Sequence, residues 1–292
     1  MSPLALLRSL VSPSPSSPTS ASPRLLAHVA GRSTTGRRSA NQDRFVARAD
    51  LGLFAVADGM GGYEGGEVAS QTTIDALVEL YASHDADGDI TWPHVPDGEL
   101  SLAGTRAIVA IEHAHRAVRR KRHGALAQMG STIVMLSLPG HASSGLASDA
   151  GSTRMIVAHA GDSRAFLLRD GTLHRLTRDH SFLAELEARG QAYTADEHAR
   201  MAAQFGHVVT KAIGHGERVE PTVRELLVRE GDVFLLSSDG LHGALDEEEL
   251  AHTLMMFAPE DATEIFLARA IEAGSTDNVT AVIVRIERDA RS

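Results

Sequence analysis

The chain has 292 residues, 43% of them apolar, enough for one substantial core, and a formal charge of −10 from 38 acidic and 28 basic side chains. With no cysteine, it has no disulfides, thiolate zinc sites, thioredoxin-type redox motifs or cysteine nucleophiles. The acidic balance argues against general nucleic-acid binding and leaves no basic stripe for a membrane surface, so neither partner is expected.

The first ten residues carry a short apolar stretch, but Arg8 interrupts it and no basic residue precedes it, so no secretory signal is read and a cytoplasmic location is expected. No run has the apolar length of a membrane span. Ser12 to Pro23 is almost wholly Ser, Pro, Thr and Ala, which cannot bury a core. Residues 1–24 are therefore expected to be a disordered tail, and 25–292 a single domain. Leu51 to Ala57 reads as a buried strand ending at Asp58. Glu67 to Ala82 reads as a helix with Val68, Thr72, Ala76, Leu77 and Leu80 on its apolar stripe. His84 to Leu100 lacks periodicity and predicts a long loop. A second helix is expected over Leu102 to Arg122, its terminal Arg119, Arg120, Lys121 and Arg122 forming a solvated end that complements the helix dipole.

Strands are expected at Ser131–Leu138, Met155–His159, Arg164–Leu168, Thr172–Leu176, Val223–Val228 and Val233–Ser237, with Asp170-Gly171 as a hairpin turn. Helices over Glu247–Met256 and Ala262–Ala273 precede a last strand, Val279–Glu287. Strands and helices come in blocks, which predicts an α+β architecture of antiparallel sheets covered by helices.

Four aspartates, Asp58, Asp162, Asp239 and Asp277, fall at the margins of apolar runs within Gly-, Ser- or Asn-rich turns. One such Asp is ordinarily a turn residue. Four together point to hard divalent cations, and oxygen-only donors without EF-hand spacing favour Mg²⁺ or Mn²⁺ over zinc, copper or calcium. The glycines of Asp58-Gly59-Met60-Gly61-Gly62 do not make a nucleotide loop: Glu64 stands where the dinucleotide fingerprint needs its third glycine, and no Lys-Ser or Lys-Thr pair follows. Paired hard cations suit phosphate-ester hydrolysis. Arg38, just before Asn41-Gln42-Asp43, is the guanidinium whose planar fork fits the phosphate oxygens. His113 and His115, two apart on a helix, point to different faces and cannot chelate one ion. Tyr63 and Glu64 are placed equally by cleft lining and by solvent exposure.

Seven segments in order carry a family resemblance: Arg38-Ser39-Ala40-Asn41-Gln42-Asp43, Asp58-Gly59-Met60-Gly61-Gly62, Met129-Gly130-Ser131-Thr132, Gly161-Asp162-Ser163-Arg164, Thr177-Arg178-Asp179-His180-Ser181, Ser238-Asp239-Gly240 and Asp277-Asn278-Val279-Thr280. Over about Gly31 to Ile286 the chain resembles the metal-dependent type 2C (PPM) protein phosphatases, and Met60 is similar to the bacterial branch. The resemblance implies a four-layer α-β-β-α fold, a β-sandwich flanked by helices on both sides, with a binuclear Mn²⁺/Mg²⁺ centre in a cleft at one end. Asp58 would bridge the ions, the Gly59 carbonyl would complete the first, and Asp239 and Asp277 would hold the second. Asp162 with Asp239 matches a third-ion site. Arg38 would bind substrate phosphate, and Asp43 would orient water beside the metals, with Asn278 near the second site.

Two positions depart from the family pattern. Met60 stands where eukaryotic relatives have a His proposed as general acid, which leaves the proton donor unassigned, since His180 reads as structural. Gln42 stands where Glu is commoner, and an amide cannot serve as a base. Residues 181–207 match a flap beside the cleft, helical around Phe182, Leu183 and Leu186. The implied function is a monomeric protein serine/threonine phosphatase that hydrolyses phosphoSer and phosphoThr through metal-activated water and opposes a bacterial Ser/Thr kinase. The alternatives are a catalytically inactive phosphoprotein-binding regulatory module and a hydrolase of small phosphate esters.

Overall fold

The computed structural model describes residues 25–62, 64–83, 100–139, 153–189, 194–206 and 208–288. The predicted tail, the His84–Leu100 loop except Leu100, and Tyr63 lie outside the described residues. Two antiparallel sheets face each other. The first runs β1 (Leu25–Thr34), β11 (Val279–Arg288), β10 (Val233–Ser237), β7 (Arg164–Arg169), β8 (Thr172–Arg175). The second runs β2 (Asp43–Arg48), β3 (Leu53–Met60), β5 (Ile133–Ser137), β6 (Arg154–Ala160), β9 (Thr222–Leu227), with β4 (Gly130–Ser131) beside β3.

Alternation along the strands builds three cores. Phe54 and Val56 of β3 turn inward to Phe234, Leu236, Val282 and Val284 of the opposite sheet. Leu53, Ala55 and Ala57 turn outward, against Leu77 of α1 (Gly65–Ser83) and Ile111 and Val118 of α2 (Leu102–Lys121). On the other side Leu235, Ala281 and Ile283 pack on Leu250 and Leu254 of α6 (Glu247–Met256) and Phe266 of α7 (Pro259–Glu272). Helix layers on both sides bury each central strand on both faces, which is why those strands read as unbroken apolar runs. The expected α+β four-layer order is the order observed.

Some expectations need correction. β1 and β2 were not expected: β1 mixes His28, Gly31 and Arg32 into its run, yet it pairs with β11 over its whole length, from Leu25–Arg288 to Thr34–Val279. The expected Ser131–Leu138 strand breaks at Thr132 into β4 and β5, and α7 begins at Pro259, its first helical position, where a missing N–H is harmless. The basic end of α2 is not simply solvated. Arg119 donates to the Glu217 carbonyl, Lys121 to Thr72 Oγ1, and Arg122 to the carbonyls of Ala127 and Gly214, so three of its four cations tie α2 to its neighbours. His113 and His115 do diverge: His113 lies 3.8 Å from Glu79, while buried His115 accepts from the Gly214 N–H.

The expected flap contains α3 (Phe182–Ala188) and α4 (Ala195–Phe205), joined by the rings of Phe182 and Phe205 with centroids 5.3 Å apart. No α3 residue is buried, so this helix is thinly packed.

Candidate metal and phosphate site

One end of the sandwich gathers the aspartates. Asp43 opens β2 and lies directly across from Asp58 near the end of β3. Two like charges at opposed positions repel. Asp162 sits in the turn between β6 and β7, where Gly161 at φ +121 has no room for a side chain, since a Cβ would lie 2.6 Å from that of Thr132. Asp239 opens the short helix α5 (Asp239–His242) after β10, and Asp277 precedes β11. Arg38, Asp58, Gly59, Asp162, Asp239 and Asp277 all line a cleft of about 620 Å³.

Hydroxyls brace this arrangement. Ser238 and Thr280 both donate to Asp43 Oδ2, at 2.7 and 2.6 Å, while the Thr132 hydroxyl accepts from the Asp58 N–H and meets Ser163 Oγ at 2.7 Å. The Asp58 and Asp162 loops are thereby coupled. Asn278 fixes the Arg38 loop: its Oδ1 accepts from Gln42 N–H and its Nδ2 donates to the carbonyls of Thr35 and Ala40. The Gln42 amide donates to the Gly62 carbonyl, tying two loops together. Ser238 and Thr280 fall within two of the quoted segments, but nothing in the sequence marks them as the hydroxyls that brace Asp43. His180 stacks on His159 with ring centroids 4.4 Å apart, and its Nδ1 accepts from the Gly161 N–H. Burial, then the neighbouring His159, pushes its pKa down to about 3, so it is a neutral structural residue at physiological pH.

Asp58 is raised well above the ordinary carboxylate range by burial first and by the charges of Asp43 and Asp239 next. Burial raises Asp43 to about 6 against the opposing hydrogen bonds from Thr280 and Ser238, and it raises Asp162 to about 7 with help from Asp239. Asp239 is raised by burial and then by Asp277. Asp43 Oδ1 and Asp239 Oδ1 are buried without a hydrogen-bond partner. Buried acceptors that repel one another and lack donors fit hard cations. Among the described residues no three His, Asp or Glu side chains already converge into a coordination cage. Arg38 Nη2 meanwhile holds Asp277 Oδ2 at 2.7 Å and its Nε donates to the Thr276 carbonyl.

The raised carboxylates set a pH trend. Free Asp ionises near 3.8, so between that value and about 7 the folded state keeps protons that the unfolded chain has lost. Stability contributed by these groups is present at low pH and is lost as pH rises through their folded values. In chelator, the melting temperature of Asp162→Asn should gain on wild type from pH 5 to pH 8, a comparison that cancels carboxylates shifted elsewhere. A constant difference would show that Asp162 is not held protonated.

A family model described as protein phosphatase 2C matches residues 30–282. The chain belongs to the protein phosphatase 2C family. It is 33% identical over 263 residues to the serine/threonine protein phosphatase PstP of Mycobacterium tuberculosis, a match covering 90% of this chain and 45% of that protein. This 2C-family chain thus spans about half the length of that curated relative. It is 27% identical over 258 residues to the protein phosphatase PhpP of Streptococcus pneumoniae, covering 87% of this chain and 94% of that one. The solved catalytic domain of PstP in complex with two manganese ions is 32% identical, with a TM-score of 0.70 and coverage of 90% of this chain and 100% of that one. Among the described residues no helix is long and apolar enough to cross a membrane.

Proposed function

We propose that this chain is a protein serine/threonine phosphatase that hydrolyses phosphoSer and phosphoThr using two divalent cations, Mn²⁺ or Mg²⁺, with a third at Asp162. The observation that carries the reading is the single cleft shared by Asp58, Asp162, Asp239, Asp277 and the Arg38 guanidinium. Asp58 would bridge the ions, with the Gly59 carbonyl on one and Asp239 and Asp277 on the other. When bound, the ions supply Lewis acidity, which acidifies water and neutralises phosphoryl oxygens.

The side chains divide the remaining work. Arg38 would grip the phosphate through its planar donor fork, which requires it to let go of Asp277. Asp43 holds its position through Ser238 and Thr280 and keeps a free oxygen beside the site. Met60 cannot transfer a proton, so the leaving alkoxide takes its proton from water or from another side chain. The thin packing of α3 suits a segment that adjusts to different protein substrates. The substrates would be phosphoproteins in the cytoplasm, with a Ser/Thr kinase as the opposing enzyme and the phosphatase acting as a monomer.

The test is Mn²⁺-dependent phosphate release from a phosphothreonine peptide by wild type and Asp239→Asn. The variant should lose about 10²- to 10³-fold in kcat, as expected when a group stabilising transition-state charge is removed. Activity that survives chelator, or is unchanged in the variant, would overturn the mechanism. Metal binding without turnover of any phosphopeptide would instead favour an inactive phosphoprotein-binding module.

A further inference from the structure

Arg37 stands next to the phosphate-facing Arg38 in a turn closed by Arg38 N–H donating to the Thr35 carbonyl at 3.2 Å. Its side chain is exposed and lines the same cleft. Neighbouring arginines each hold a carboxylate: Arg38 holds Asp277, Arg44 holds Glu67 and Arg164 holds Asp179. Arg37 holds none among the described residues. Its polar contact there is a long 3.5 Å bond from Nη2 to the Ile271 carbonyl in the last turn of α7.

A second hollow of about 370 Å³ adjoins the cleft and shares Asp239 and Asp277 with it. Its other walls include Gly240, Gly243, Ala244 and Gly274, so a polypeptide leaving the cleft meets backbone there and little side-chain bulk. Ala273, on the rim of this hollow, lies two residues beyond the Ile271 carbonyl that anchors Arg37. A guanidinium that holds no carboxylate among the described residues therefore lines the cleft close to this hollow, a route open to the chain that flanks a phosphoresidue. The carboxylates of the cleft would repel an acidic flank, and Arg37 is placed to reverse that sign at one position.

We propose that Arg37 determines specificity by binding a second anionic group, a carboxylate or a further phosphate, on the substrate chain beside the phosphoresidue held by Arg38. The inference rests on the phosphoprotein phosphatase reading above. A planar five-donor fork suits either oxyanion. Because the side chain is exposed, the effect is modest, about fivefold in kcat/KM.

The test uses three peptides, each with one hydrolysable phosphothreonine: one flanked by alanine, one by glutamate, and one by a non-hydrolysable phosphonate analogue of phosphothreonine. Wild type should prefer the glutamate or phosphonate peptide over the alanine peptide by about fivefold, and the larger of the two ratios identifies the anion. In Arg37→Ala that ratio should fall to about one, with Arg37→Lys in between, because a point charge lacks the fork. A wild-type ratio of one or below, or a ratio preserved in Arg37→Ala, overturns the inference while leaving phosphatase activity standing. Failure to hydrolyse all three peptides overturns the phosphatase reading and the inference together.

Discussion

Asp58→Asn is expected to lower Mn²⁺-dependent turnover of a phosphothreonine peptide by about a thousandfold and yet to raise the melting temperature of the metal-free protein by roughly 3 °C. The two effects have one origin. Asp58 is withdrawn from water opposite Asp43 and close to Asp239, so in the absence of cations its charge opposes folding. An amide of the same shape removes that charge and can donate a hydrogen bond toward Asp239. The same neutrality removes the proposed bridging anion. An aspartate retained only for folding would behave in the opposite way, with activity largely kept and the melting temperature lowered. Thermal melts in chelator and in Mn²⁺ separate these cases: Mn²⁺ should stabilise wild type far more than the variant.

The elements most legible in the sequence were those whose strands are buried on both faces. β3, β5, β10 and the first six positions of β11 are apolar or small, with Asp58 the charged exception, because sheet and helices cover them from opposite sides. β1 was hidden because its residues are mostly half-buried and its partner β11 lies at the far end of the chain. β2 was hidden by its brevity and by the charged residues at both its ends. At the site, the aspartates stood out because each lies at the margin of an apolar run, where a strand prediction begins or ends. Their supports did not. Ser238 and Thr280 reach Asp43 across separations of 195 and 237 residues, and Arg38 meets Asp277 across 239. No periodicity reports such pairings. The basic end of α2 misled for a related reason: a run of four cations looks the same whether it faces solvent or finds carbonyls on distant loops.

Gly59→Ala should cost about 3 kcal/mol or more in urea unfolding and remove most activity, a larger stability loss than at Gly62 of the same motif. The cause is steric, since the backbone of Gly59 is ordinary β-strand. An added Cβ would lie 2.0 Å from the Gly66 carbonyl oxygen at the start of α1, 2.4 Å from its carbon and 2.8 Å from the Gln42 oxygen. All three are backbone atoms, held by the α1 ladder and by the Gly59 N–H donating to Gln42 at 3.1 Å, so none can swing away. β3 would have to part from α1, carrying Asp58 and the Gly59 carbonyl with it. Gly62 is the informative contrast. It takes φ +91 with nothing within 4 Å of a built Cβ, so Gly62→Ala incurs only left-handed strain, about 1–2 kcal/mol. If the two variants unfold at the same urea concentration, backbone strain and not close approach governs the motif. If Gly59→Ala alone collapses, the glycine is there to bring strand and helix into backbone contact, the separation that fixes Asp58 in the cleft.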